Sequence, residues 1–464
     1  MGSNLNGERT IVIGGGLAGI AAALRLADAG HAPLLLEARG GLGGRATSLD
    51  DPRTGTVLDN CQHVLMGCCT ALQTLYQRLG VQDCVEWHDE LHWLREDGGI
   101  DSLRADPLPA PLHQTRSLVR MKLLDVRSRR DVARLMWRMI RMGHRGRRAW
   151  RDRSFGDFLR EHGQSHHVIR VFWDTVITSA CNLPSDRIAA LHGLQVFQEA
   201  FLSGRTAGAM GVPNVPLRDL YEPAQRILDG AGGEIRLGAA VRAIEFDGRN
   251  AVAVATGRDV LRTTRVVSTL PPDALGRLIP PSLHDVDERI RGLDRFRFSP
   301  IIGVHLRFHG TVTALPHLIL AGRPVHWMFN KGTDPSGRQH LHAVISAADA
   351  WMDRSEDQIV DGVLAEFARA FPEAARERLV DARVIKERRG TFAATVDVEP
   401  LRPGPGPGGL RGLYLAGDWC DTGWPATMEG AVRSGLAAAA AITGEPTGIR
   451  DLPAGRLVSL LGLR

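Results

Sequence analysis

The feature that most constrains this chain of 464 residues is a set of glycine clusters placed just after short apolar runs, two near the start and one near the end. Thr10-Ile11-Val12-Ile13 runs into Gly14-Gly15-Gly16-Leu17-Ala18-Gly19. The β-branched residues favour a buried strand, the glycines permit a tight turn and close backbone approach, and Leu17 to Ala29 has the apolar density of a helix. Strand, turn and helix in that order aim a helix N-terminus, with its partial positive charge and unpaired N–H groups, at a pyrophosphate. A second apolar run, Leu34-Leu35-Leu36, ends at Glu37, about 20 residues past the turn, where a carboxylate accepts hydrogen bonds from ribose hydroxyls. Taken alone, this arrangement serves NAD and FAD equally.

The second cluster, Arg39-Gly40-Gly41-Leu42-Gly43-Gly44-Arg45, shifts the balance to FAD. Small residues let the chain lie against a cofactor, and Arg39 and Arg45 offset phosphate charge with fixed donors. Near the other end, Leu413-Tyr414-Leu415-Ala416-Gly417-Asp418 leads through Pro425-Ala426-Thr427-Met428-Glu429-Gly430 into an alanine-rich helix. A carboxylate at Asp418, closing a buried strand, needs a partner such as a sugar alcohol or backbone N–H groups. The three motifs in this order predict FAD, held without a covalent bond.

Length favours more than one core, because 464 residues exceed what a single core usually supports. The expected class is α/β: a Rossmann-type FAD-binding domain with an interleaved substrate domain of mixed sheet and helices. The FAD domain is assigned to 1–60, 226–275 and 410–445, a helix-rich region facing substrate or membrane to 61–225, and a substrate sheet with helices to 276–409. Helix starts are expected near Ser154 and Pro184. Strands are expected within 233–269, broken at Asp247-Gly248 and Gly257, and again at 297–308 and 325–347. No secretory segment and no bilayer-length apolar run stands out, which predicts a cytoplasmic protein. The six cysteines (Cys61, Cys68, Cys69, Cys84, Cys181 and Cys420) lack paired zinc spacing, so reduced thiols and no metal are expected.

The net charge of +5 conceals a strongly basic segment from Arg116 to Arg153. Arg134, Arg138, Arg141, Arg145 and Arg148 recur at helical spacing, with Val132, Leu135, Met136 and Met139 on another face. Such a helix either lies on an anionic bilayer, giving a protein peripheral on the inner face of a bacterial membrane, or buries its apolar face in the core and leaves its basic face to solvent. Nucleic acid is not expected: no recognised nucleic-acid fold accompanies the stripe, and aromatic residues make up 5% of the chain.

With these motifs spread in order along nearly its whole length, the chain resembles the flavin amine oxidase and phytoene desaturase superfamily. Leu58-Asp59-Asn60-Cys61-Gln62-His63-Val64-Leu65-Met66-Gly67-Cys68-Cys69 and Trp419-Cys420-Asp421-Thr422-Gly423-Trp424-Pro425 resemble its squalene-associated branch, the hydroxysqualene dehydroxylases of bacterial hopanoid and squalene biosynthesis. The resemblance implies that Gly14, Gly16 and Gly19 hold the pyrophosphate, Glu37 the adenosine ribose, and Gly43, Gly44 and Arg45 the phosphate and ribityl side. Val241 is implied to meet the adenine, Asp418 the ribityl or phosphate oxygens, and Thr427 with Met428 to bring a helix N-terminus to the flavin C2 carbonyl.

The implied reaction is reductive removal of an allylic hydroxyl from hydroxysqualene, giving squalene and water. Hydroxide leaves poorly, so an acid must assist it, and a dry pocket must protect the allylic cation. If 59–63 is extended, Asp59, Cys61 and His63 share one face while Asn60 and Gln62 share the other. Asp59, Cys61, His63 and Asp421 are therefore the candidate catalytic residues, and Trp419 and Trp424 the candidate pocket walls. Relatives often have glycine where Cys61 stands. Alternatives stay open: Asp59 as a turn cap with Cys61 and His63 as core residues, a carotenoid-precursor desaturase running hydride the other way, an amine oxidase, or an isoprenoid carrier without catalysis. An amine oxidase would be expected to carry a lysine near the flavin, and the stretch Ser299–Arg307 has none. The expected partners are a long apolar isoprenoid, a membrane surface, and a reductant or upstream squalene-pathway enzymes, since no second dinucleotide motif is evident.

Overall fold

The two ends of the chain meet in one parallel sheet. In the computed structural model, which describes residues 9–462, five strands lie in the order Glu234–Arg236, Leu34–Leu36, Ile11–Ile13, Val266–Ser268 and Leu413–Leu415. Residues 1–8, where the first FAD-domain segment was expected to begin, lie outside the described residues, as does part of the stretch searched for a secretory segment. The inner strands are largely apolar because both faces are covered, whereas the edge strand Glu234–Arg236 carries two charged, half-buried residues. Val12, Leu35 and Val267 pack against the helices Leu17–Asp28 and Met428–Thr443. Ile11, Ile13, Leu34 and Leu36 face the other way, into a core shared with a three-stranded antiparallel sheet, Val241–Asp247, Asn250–Thr256 and Val260–Arg262. The two helices approach so closely that a Cβ at Gly435 would fall 2.1 Å from the Ala18 carbonyl oxygen.

A seven-stranded mixed sheet forms the second layer. Its order is Leu379–Phe392, Phe298–His309, Arg338–Ile345, Trp327–Thr333, His317–Leu320, Glu90–Leu94 and Ile100–Arg104. All neighbours are antiparallel except His317–Leu320 with Glu90–Leu94. One face buries Ile302, Val304, Leu306, Met328 and Leu341 under the helix Glu356–Phe367. The other face, with Trp93, Ile319, Phe329 and Val344, turns towards a helical layer whose centre is the aromatic group Phe155, Phe158, Trp173 and Phe197.

Two of these sheet strands, Glu90–Leu94 and Ile100–Arg104, come from the stretch the sequence marks as helix-rich. Their alternating burial is the period-2 pattern of a strand with one covered face. Ser154 caps the helix Phe155–Glu161 as expected, accepting from the Asp157 N–H. The helix expected near Pro184 begins later, at Ala190; the Pro184 carbonyl instead accepts from the N–H groups of Arg187 and Ile188 in a turn.

The basic segment forms the helix Val126–Gly146, broken at Gly143 (φ 65°, ψ 178°). Val132, Leu135, Met139 and Ile140 are buried, so its apolar face belongs to the protein core. Among the described residues, no helix is long and apolar enough to cross a membrane.

Candidate active site

The first glycine turn, which leaves the middle strand of the parallel sheet, is shaped by contact with Thr269 at the end of the neighbouring strand Val266–Ser268. Gly14 has φ +105°, and a Cβ there would stand 2.6 Å from Thr269 Oγ1, while a Cβ on Gly19 would fall 1.9 Å from the Gly14 carbonyl oxygen. Among the described residues, no side chain caps the helix that starts after Gly16. The second cluster folds directly against the first: the Gly43 N–H donates to the Gly15 carbonyl at 2.9 Å, and a Cβ on Gly44 would sit 3.1 Å from Gly16 Cα. Buried Glu37 accepts from the Gly15 N–H at 2.6 Å and the Arg39 N–H at 2.8 Å. Its carbonyl accepts from Ala239, just before the strand that begins at Val241, so Glu37, Arg39 and Val241 come together at one end of the sheet.

The late motif closes this cradle. Asp418, 6% exposed, pairs with the Arg45 guanidinium at 2.6 Å, and a second Arg45 nitrogen donates to the Gly390 carbonyl at 3.1 Å. Arg39 lies further out and donates to the Gly44 carbonyl at 3.1 Å. Thr427 caps the helix Met428–Thr443 by accepting from the Gly430 N–H at 3.1 Å. An uncapped helix start beside close-packed glycine backbone, with buried carboxylates at Glu37 and Asp418, fits a dinucleotide with two sugar alcohols and a pyrophosphate. FAD meets that description.

Against Thr427 and Met428 lies a cavity of about 220 Å³ between the large sheet and the helical layer. Gln62, Val64 and Met66 form one wall, Trp327 and Phe329 another, and Gln195, Glu199 and Phe201 a third. The Trp327 and Phe329 rings stack at 5.2 Å, and the Trp327 indole N–H donates to Ser179 Oγ at 2.7 Å, which fixes its orientation. Trp424 also lines the cavity, with the Arg433 guanidinium 4.9 Å from its ring centroid. Glu429 ties this region to the helix Thr70–Leu79, accepting from the N–H groups of Ala71 and Leu72 and from Arg433.

The expected alternation, with Asp59, Cys61 and His63 on one functional face of an extended 59–63 segment, is not what the fold presents to the cavity. The strand ends at Asp59, and beyond it the even-numbered residues Gln62, Val64 and Met66 meet the cavity. Asp59 is instead held by Ser48 Oγ at 2.8 Å and the Leu217 N–H at 3.1 Å. Cys61 is buried against the Gly303 strand, and burial pushes its thiol up to about 12. His63 lies against the Cys61 carbonyl at 3.0 Å, and burial pushes its imidazole below the ordinary histidine value. Both are neutral near pH 7 and neither lines the cavity.

Asp421 is exposed and outside the cavity lining, its carboxylate accepting from the Gly423 N–H at 3.0 Å in a turn. Trp419, expected at the pocket, lies in the core beneath the parallel sheet: it is 1% exposed, donates to the Leu270 carbonyl and packs edge-on against Phe296. An indole with its N–H satisfied in an apolar core is a packing residue.

Sequence reasoning missed Lys331. Its ammonium stands 3.4 Å from Asp59 Oδ2 and 3.2 Å from Gln62 Oε1. The signal was present: Trp327, Phe329 and Lys331 alternate along one strand and so share a face. Lys331 lies on Trp327–Thr333, a different strand of the same sheet from Phe298–His309. Glu199 was missed as well; it lines the cavity and pairs with Arg147 at 2.9 Å. All six cysteines are free, and among the described residues no cluster of His, Cys, Asp or Glu is arranged to hold a metal.

The model of the flavin containing amine oxidoreductase family matches residues 17–443. The chain is 28% identical over 442 residues to a hydroxysqualene dehydroxylase of Rhodopseudomonas palustris, covering 92% of this chain and 96% of that one. It is 27% identical over 457 residues to a chloroplastic/chromoplastic 15-cis-phytoene desaturase of an Oncidium hybrid, covering 93% of this chain and 77% of that one. Among solved structures, an oxidoreductase from Methanosarcina mazei superposes with a TM-score of 0.71 at 18% identity, over 94% of this chain and 100% of that one, a likeness of fold. The cradle, its two-ended construction and the span of the family match agree: the chain belongs to the flavin-containing amine oxidoreductase family, whose members are FAD-dependent oxidoreductases.

Proposed function

We propose that this protein reductively dehydroxylates a long allylic isoprenoid alcohol, with hydroxysqualene as substrate and squalene and water as products. The observation that carries this reading is the contact between Lys331 and Gln62, which brings an ammonium to a polar residue that lines the cavity beside Val64, Met66, Trp327 and Phe329. A pure hydrocarbon offers such a polar pair nothing to bind, whereas an alcohol offers a hydroxyl. The near end-to-end correspondence with the Rhodopseudomonas palustris enzyme supports the same choice over the phytoene desaturases, of which a smaller share is covered.

In this reading Gly14, Gly16, Gly19, Glu37, Gly43, Gly44, Arg45, Val241 and Asp418 hold FAD, with Thr427 and Met428 at its ring. Bound there in its reduced form, FAD supplies two electrons as hydride. The chain's own residues handle the oxygen. Gln62 marks the hydroxyl position, and Lys331 gives a proton to the departing oxygen, so that one C–O bond is exchanged for one C–H bond and the oxygen leaves as water. Asp59, fixed by Ser48 and Leu217, keeps the ammonium in place. Lys331 is 19% exposed, which lets it recover its proton from solvent. The faces of Trp327, Phe329 and Trp424 exclude water and stabilise positive charge developing on the carbon.

The test is anaerobic. The purified protein is photoreduced, hydroxysqualene is added, and flavin absorbance is followed while extracted lipid is analysed by mass spectrometry. Reoxidation with squalene formed in equal amount is the expected result. Failure to reoxidise, combined with reduction of the oxidised protein by a phytoene-type polyene, would replace this reading by a desaturase.

A further inference from the structure

The helix Val126–Gly146 presents an arginine row that the fold itself leaves without use. Its apolar face is already committed to the core, so what remains outside is Arg127, Arg130, Arg134, Arg138, Arg141 and Arg145, all exposed and spaced three or four residues apart on one side. Of these six, only Arg134 has a carboxylate partner among the described residues, Asp131 at 2.8 Å. Like charges at this spacing repel, and a helix keeps such a row at a cost in stability.

Exposed apolar side chains accompany the row along its whole length. Trp137 is 45% exposed and sits with Arg134, Arg138 and Arg141 around a surface depression. Val126, 58% exposed, opens the helix; Val119, 62% exposed, is tied to it through the Arg129 guanidinium on the Val119 carbonyl. At the other end the short helix Arg456–Leu461 presents Leu460, 83% exposed, and the following Gly462 lies close to the Arg141 carbonyl. Guanidinium groups interleaved with an indole and aliphatic side chains match a surface of phosphates above hydrocarbon. A nucleic acid would use the arginines and leave the aliphatic groups in water.

The same helix is wired to the cavity. The Gln198 amide donates to the carbonyls of Met139 at 2.9 Å and Gly143 at 3.0 Å, and Arg147 pairs with Glu199, which lines the cavity. We propose that this arginine face docks on an anionic phospholipid bilayer, with Trp137 at the headgroup boundary, and that docking brings the 195–201 wall of the cavity to the membrane, from which a water-insoluble substrate enters. Docking itself does not depend on which isoprenoid is turned over.

The experiment uses the flavin-loaded protein and vesicles of phosphatidylcholine with or without phosphatidylglycerol, read by cosedimentation. Wild type should bind phosphatidylglycerol vesicles, release them as salt is raised, and ignore pure phosphatidylcholine. The combined change Arg134→Glu, Arg138→Glu and Arg141→Glu should weaken binding by about a hundredfold or more, with flavin content and thermal midpoint unchanged. Trp137→Ser, a milder change that keeps the arginines, should weaken it by about tenfold. Should the triple variant fail to fold, the salt titration and Trp137→Ser decide. No binding of wild type to phosphatidylglycerol vesicles, equal binding to both lipids, undiminished binding by the folded variants, or preference for transfer RNA over vesicles would each overturn the proposal.

Discussion

Replacing Lys331 by methionine keeps the stem and removes the proton, so flavin should load normally while reoxidation by the alcohol slows by about 10² to 10⁴. Lys331→Arg should stay slow as well, because a guanidinium keeps the charge without giving up its proton, and stopped-flow absorbance after photoreduction measures both. Asp421→Asn, by contrast, should leave the same rate within about twofold, because its carboxylate only closes an exposed turn. Asp59 and Lys331 were unequal in the sequence. Asp59 stands beside recognisable residues, whereas Lys331 gains meaning only when its strand is laid 272 positions away against the 59–62 segment. Trp419 and Trp424 show the same limit: two tryptophans five residues apart look alike in a motif, and only the turn between them sends one into the core and the other to the cavity.

At the scale of elements, the parallel sheet was readable because strand, glycine turn and helix are adjacent in sequence, so local chemistry dictates them. The antiparallel strands around Asp247-Gly248 were readable for the same reason. Strands Glu90–Leu94 and Ile100–Arg104 were not: they pair with each other, but the hairpin joins the large sheet only where Glu90–Leu94 meets His317–Leu320, more than two hundred residues on, and their own pattern is too short to outweigh helical neighbours. Contact between the helices Leu17–Asp28 and Met428–Thr443 depends on Gly435 lying against Ala18. Gly435→Val should force these helices apart, lowering the thermal midpoint and the flavin-to-protein ratio together, as read by calorimetry and the visible spectrum. Asp418→Ala should also lower the flavin ratio, by removing the partner of Arg45, but with a smaller loss of melting temperature.

For the whole molecule, buried histidines set the response to acid. His305 and His317 are buried, and desolvation pushes their imidazoles down to about 4 and about 3 respectively. Among the described residues no side chain hydrogen-bonds either ring nitrogen of His317, which faces the rings of His88 and His92 at 5.2 and 5.3 Å. In the unfolded chain these groups take up a proton near the ordinary value of 6.5, which the folded chain refuses. Stability is therefore full above that value and is lost as pH falls from about 6.5 towards 4, with little further loss from these groups below 3. Chemical denaturation across that range should show the decline, and His317→Phe should flatten it. A pH-independent midpoint would contradict the burial described.

The cradle also has a consequence for how the protein is made. Four of the five strands of its sheet lie before residue 269, but the edge strand Leu413–Leu415, the Asp418 carboxylate and the helix capped by Thr427 come from the last stretch of the fold. A ribosome emitting this chain releases most of the apolar walls of the cavity, all but Trp424, Pro425 and Met428, before the pieces that complete the cofactor cradle. The growing chain must keep those walls from sticking to other surfaces until residues 413–443 have followed the large sheet, some seconds at typical elongation rates. The rate of translation over that stretch should then govern the soluble yield more than the supply of riboflavin does, because flavin has no complete cradle until the stretch is made.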